Sequence, residues 1–193
     1  MTAAVPARLA PFPAERPDRM TTPALLAERG FSLRWLREDD LPWLRDLYAT
    51  TRADEMAPLP WPAPAKRQFL DQQFALQHQH YLAHYGDTDF LAIERRGLPA
   101  GRYYLQRVAP DHLIVDICLF PGLRGHGAGA ALIRQSQADA AALGRGMHLH
   151  VLEANPGARR LYERLGFVVS GQALHGTHVP MHWAPPTADT ASR

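Results

Sequence analysis

The chain has 193 residues, 46% of them hydrophobic and 21% charged, with a formal net charge of +2; this is enough for one domain with a substantial core and hardly enough for two. A single cysteine, Cys118, excludes an internal disulfide, so packing must hold the fold, as suits a reducing compartment, and the expected location is the cytoplasm. The 20 arginines and one lysine (Lys66) are scattered, which argues against a nucleic-acid surface, and no run of about 18 uninterrupted apolar residues is present to span a membrane.

Residues 1–29 carry Pro6, Pro11, Pro13, Pro17 and Pro23 with little apolar periodicity. They break any continuous signal-peptide stretch and are expected to form a disordered leader, inside which Met20 could serve as the start. From Phe31 to Trp35, apolar and polar residues alternate as in a strand with one buried face. Asp39 or Asp40 then precedes a helix beginning LPWLRDLY, with Pro42 in its first turn. Four prolines between Pro58 and Pro64 make residues 50–65 a loop, and a helix over 66–84 follows, ended by Gly86.

Three apolar runs over 89–94, 101–108 and 112–120 are joined by short turns and read as an antiparallel meander. A glycine turn leads into a helix to about residue 143, residues 147–152 form a strand, and Asn155 with Pro156 opens a second helix that Gly166 ends. Two short strands close the domain before a flexible tail over 185–193. The result is a mixed α/β domain over 30–184.

The stretch from Leu119 to Gly129 is a strand running through glycines 125, 127 and 129 into a helix. Glycines let backbone N–H groups approach an anion, and the helix N-terminus adds partial positive charge. A tight turn alone would explain one such glycine, not three. Gly125, Gly127 and Ala130 formally fit the dinucleotide fingerprint, with Glu153 near the end of the next strand. A meander upstream and too little chain downstream argue against that fold, and with it against an oxidoreductase.

These residues resemble the GNAT superfamily of acyl-coenzyme A dependent N-acyltransferases. The family's turn, Arg/Gln-x-x-Gly-x-Gly/Ala after an apolar-x-Pro step, is matched by Leu119, Pro121, Arg124, Gly127 and Gly129; a second motif is matched by Leu149, Val151, Asn155, Ala158, Leu161, Tyr162, Gly166 and Phe167. The resemblance covers residues 31–184, its specific part 117–167. It implies a mostly antiparallel sheet flanked by helices, splayed between the fourth and fifth strands, which run parallel there.

By resemblance, backbone groups of Ile117 and Leu119 would hold the donor's pantetheine arm. The amides of Arg124, Gly125, His126, Gly127, Ala128 and Gly129 would hold the pyrophosphate. Acetyl-CoA would be the co-substrate, with no metal. Tyr162 would protonate the departing thiolate, although its place on the stripe Ala158, Leu161, Tyr162, Leu165 also suits a core aromatic. Asn155 would both cap its helix and touch the donor.

The attacking amine must lose a proton, so a base or a water chain leading to solvent is needed near the cleft. His112 and Asp116 share a face by their even numbering, as do His148 and His150. His150 stands where some relatives place a glutamate and is the favoured base, with Asp116 a second candidate. Arg52, Glu55 and Trp61 are candidate acceptor contacts, Arg52 for a carboxylate and Glu55 for an ammonium; solvated loop charges are the alternative. The acceptor would be a small-molecule or peptide amine, and the protein a monomer or homodimer. His80 with His84, and His175, His178 and His182, have only weak metal-ligand spacing, so no metal site is expected. A non-catalytic acyl-CoA-binding module is the competing reading.

Overall fold

A computed structural model of the chain describes residues 9–16, 21–173 and 177–186. In chain order the elements are α1 (Ala24–Ala27), β1 (Phe31–Trp35), α2 (Leu41–Thr51), α3 (Ala53–Met56), α4 (Ala63–His84), β2 (Thr88–Arg95), β3 (Leu98–Gln106), β4 (His112–Leu119), α5 (Ala128–Ala141), β5 (Met147–Leu152), α6 (Pro156–Arg164), β6 (Val168–Val169) and β7 (His178–Trp183). By packing, the chain divides into two compact units, Met1–Glu15 with Leu36–Gly86 and Arg16–Trp35 with Asp87–Arg193.

The larger unit, Arg16–Trp35 with Asp87–Arg193, holds a seven-stranded sheet in the order β1-β2-β3-β4-β5-β7-β6. Every neighbouring pair is antiparallel except β4 and β5. One face of this sheet joins α5 and α6 in a continuous apolar cluster that includes Tyr103, Leu105, Ile114, Leu132, Ile133, Leu149, Phe167 and Met181. Two buried polar contacts pin the helices there. The Tyr103 hydroxyl meets Ser136 Oγ at 2.8 Å, and Gln137 Nε2 donates to the Leu165 carbonyl at 2.8 Å.

The smaller unit carries α2, α3 and α4. α2 runs on to Thr51, and α3 follows at once, so part of the expected loop is helical. α4 begins at Ala63 rather than residue 66, because Pro64 sits in its first turn, where a missing N–H costs nothing. Asp40 stands at the α2 N-cap position without capping it: its carboxylate instead accepts from the Arg37 amide at 2.8 Å and Trp43 Nε1 at 2.7 Å.

Several described residues of the segment expected to be a disordered leader are packed or hydrogen-bonded. Leu26 is 1% exposed inside the sheet's apolar cluster, a burial worth about 2 kcal/mol, and Thr22 Oγ1 accepts from the Leu33 amide. In the smaller unit Leu9 is buried, and His78 Nε2 bonds the Ala10 carbonyl at 2.7 Å. Compositional arguments for disorder assume that a segment must build its own core; here two leucines borrow faces made by other elements.

The β2–β3 connection is a two-residue turn, Arg96-Gly97, with Arg95 paired to Leu98, so Leu98–Ala100 belong to the strand and not to the turn. Gly101 on β3 faces Leu119 in register. A Cβ there would stand 2.1 Å from the Cys118 carbonyl oxygen, so only glycine allows β3 and β4 to approach this closely.

Candidate active site

β4 and β5 pair only over His112–Ile114 with Met147–Leu149. Beyond that point β5 continues to pair with β7, while β4 continues to pair with β3, so the two strands splay. Burial follows the same break: His112, Leu113 and Ile114 are buried, and residues 115–119 are half-exposed. The edge of β4 that faces the splay is therefore free to bond an extended ligand arm as a neighbouring strand would. At its end the Leu119 carbonyl already accepts from Arg124 Nε at 2.7 Å, while the Ile117 side chain packs towards Gly129, 3.7 Å from a Cβ placed there.

This strand leads into the glycine turn. Gly125 and Gly127 have φ of +75° and +82°, and Gly127 is the N-cap of α5 with no side-chain cap. Positive φ thus accounts for two glycines of the three; Gly129, inside the first helical turn, has ordinary φ and room for a Cβ. The first helical bond runs from the Ala131 amide to the Gly127 carbonyl, so the preceding amides at 128, 129 and 130 have no intrahelical acceptor. His126 Nδ1 closes on the Arg124 carbonyl at 2.6 Å. A row of amides at an exposed helix N-terminus suits a pyrophosphate, so the cradle fits the group that the sequence motif implies.

Tyr162 lies on α6 in the apolar cluster, 8% exposed, its ring 6.0 Å from Phe167. Burial, and then the nearby Asp116 charge, raise its pKa above the ordinary phenol value, so it stays protonated at neutral pH. Its hydroxyl has no hydrogen-bond partner among the described residues. Asn155 caps α6, its Oδ1 accepting from the Ala158 amide at 3.0 Å.

A bulge separates two residues that even numbering placed together. Tyr104 pairs with Asp116 and Leu105 with Ile114, leaving Val115 as the extra residue. His112 consequently lies on the face of Ile114 and the apolar cluster, whereas Asp116 lies on the opposite face with Tyr104. Asp116 is not a free carboxylate: its Oδ2 accepts from Arg102 Nη2 at 2.6 Å. His150 is exposed on that same opposite face, and partial desolvation followed by His178 lowers its pKa, leaving a neutral imidazole at pH 7.

In the smaller unit, Arg52 Nη1 donates to Glu55 Oε1 at 2.8 Å and its guanidinium lies 5.7 Å from the Tyr48 ring centre; the two candidate charges satisfy each other. Trp61 is 43% exposed and packs edge-on against Phe69 at 5.5 Å. His80 and His84 stack at 4.3 Å, and His182 Nε2 meets Asp111 Oδ2 at 3.0 Å. Among the described residues no group of three or more His, Cys, Asp or Glu is placed to hold a metal; His175 lies outside them. None of the described helices is long and apolar enough to cross a membrane.

The sequence profile of the Acetyltransferase (GNAT) family matches residues 44–167. The chain belongs to that family. No curated protein matches it in sequence. Among solved GNAT structures it is similar to the PaiA N-acetyltransferase of Thermoplasma acidophilum in complex with coenzyme A, at 16% identity over 80% of this chain and 98% of that one, with a TM-score of 0.59. The spermidine N-acetyltransferase of Vibrio cholerae, in complex with CoA and spermine, is 21% identical over 81% and 96%, with a TM-score of 0.56. The ribosomal-protein-S18-alanine N-acetyltransferase of Escherichia coli is 18% identical over 84% and 99%, at 0.54. These likenesses establish the fold.

Gly101, Arg102 and Arg29 were not among the residues expected at this site. Gly101 carried a usable signal, a glycine inside an apolar strand run. Arg102 carried another, a charge in the middle of the same run. Arg29 carried none, because it falls within the segment read as leader.

Proposed function

We propose that this GNAT protein is an N-acetyltransferase that moves the acetyl group of acetyl-CoA to a primary amine by direct attack. The carrying observation is the continuity of the unpaired β4 edge with the glycine turn at the N-terminus of α5. The arm would lie along the first, with Ile117 and Leu119 as its backbone neighbours, and the pyrophosphate on the second. As the amine nitrogen bonds the acetyl carbonyl carbon, the C–S bond breaks, His150 takes the proton from nitrogen, and Tyr162 gives one to the sulfur. The buried, protonated phenol supports the donor role, and the neutral imidazole supports the acceptor role. Asp116 enters this reading as the partner of Arg102.

The GNAT enzymes named above for spermidine and for a ribosomal-protein alanine both use amine acceptors, which supports a small-molecule or peptide amine here. Arg52 and Glu55, which satisfy each other in an ion pair, and the exposed Trp61 are the candidate acceptor contacts in this reading.

Calorimetric titration with acetyl-CoA, with NADH as comparator, tests the donor without knowledge of the acceptor. Saturable acetyl-CoA binding, absent in Gly127→Asp, is the expected result, because that change adds a carboxylate at a positive-φ residue of the anion cradle. Equal affinity in Gly127→Asp overturns the assignment. Thiol release across a panel of polyamines and N-terminal peptides then finds the acceptor.

A further inference from the structure

Arg29 stands where α1 returns towards β1, and its Nη2 donates to the His126 carbonyl at 2.7 Å. Its Nη1 lies 3.9 Å from where a Cβ on Gly127 would sit. The segment that carries it is anchored: Leu26 is buried in the same apolar cluster as Ala128, the first residue of α5. A guanidinium is thereby fixed against the glycine turn from a part of the chain 97 residues away.

The contact bears on the peptide between His126 and Gly127. Rotation of that peptide plane changes φ of Gly127, which has no Cβ and already holds a positive φ, so the plane meets little steric resistance to flipping on that side. A trans peptide is planar, with its carbonyl and N–H pointing opposite ways. Holding the His126 carbonyl towards Arg29 therefore fixes the direction of the Gly127 N–H.

We propose that Arg29 is a positioning residue of the donor site: it locks the 126–127 peptide so that the Gly127 N–H serves the pyrophosphate, and it adds positive charge at the turn. The proposal rests on the acetyl-CoA reading above. It extends the donor site beyond the glycine motif to a residue upstream of the first strand.

The test compares wild type, Arg29→Met and Arg29→Lys by titration with acetyl-CoA and with S-acetylpantetheine, which has the arm but no pyrophosphate. Arg29→Met is expected to weaken acetyl-CoA about ten-fold, the scale of one charge-assisted hydrogen bond. It should also flatten the salt dependence of acetyl-CoA affinity and leave S-acetylpantetheine unchanged, with Arg29→Lys recovering part of the loss. Unchanged acetyl-CoA affinity in Arg29→Met overturns the proposal, and so does an equal loss for both ligands, which would mark a general structural role. Wild type that binds no acetyl-CoA overturns the donor reading itself, an outcome visible before any variant is made.

Discussion

Arg102 on β3 reaches diagonally to Asp116 on β4, with Nη2 2.6 Å from Oδ2, and its guanidinium lies 5.2 Å from the ring centre of Tyr104, the residue that pairs with Asp116 in register. Arg102 is 3% exposed. A buried guanidinium requires a counter-charge, and removing one member of such a pair leaves the other desolvated and uncompensated. Asp116→Ala is expected to cost about 3 kcal/mol of stability, measured by denaturant unfolding. A stable Asp116→Ala protein with abolished turnover would instead return Asp116 to the catalytic base.

Gly101 lies one residue away on β3, and its closeness to the Cys118 carbonyl sets the line of the β4 segment that faces the splay. Gly101→Ala should destabilise the fold by about 1–3 kcal/mol through backbone overpacking and lower acetyl-CoA affinity as β4 shifts. Wild-type stability and affinity together would show that the strand pair yields at no cost.

Tyr162→Phe deletes a hydroxyl that has no partner among the described residues, so thermal stability and acetyl-CoA affinity should hold. Turnover should fall by about 100-fold or more, the scale of general acid catalysis. Steady-state rates on a found acceptor, alongside a titration, read both quantities. A wild-type rate would return Tyr162 to a core aromatic.

The pH dependence of turnover follows from His150. Its pKa is lowered by partial desolvation and by His178, and the base must be neutral, so kcat/KM should show an acidic limb whose midpoint lies below that of an ordinary imidazole. His150→Gln should lower the plateau and remove that acidic limb. An unchanged profile in the variant would assign the limb to another group.

His112 has a different pH signature, in stability. It is fully buried, and desolvation, then Arg107 and Arg145, lower its pKa. Below about pH 6.5 the unfolded chain takes up a proton that the folded chain resists, so stability is complete above that value and declines as the pH drops. His112→Leu should flatten this slope in urea midpoints measured from pH 5 to 8. An unchanged slope would mean that His112 gains a proton without penalty.

Local features were legible in the amino-acid order because their causes are local. A glycine at positive φ, an Asn accepting from the amide three residues on, and a period-two run each depend on near neighbours. Gly125, Gly127, Asn155 and the strand order, and with them the family, were accordingly within reach. Pairing and distant contact decided the rest. The bulge at Val115 turned His112 and Asp116 to opposite faces, because one extra residue inverts the alternation on which any face assignment relies. Arg102 claimed Asp116, Glu55 claimed Arg52, and Leu26 found a core that brought Arg29 to the glycine turn. The sequence alone thus determined the glycine turn and the family to which the chain belongs. Which charges remain free for chemistry was decided only in the tertiary structure, because ion pairs and shared apolar faces form between segments whose distance along the chain bears no relation to their distance in space.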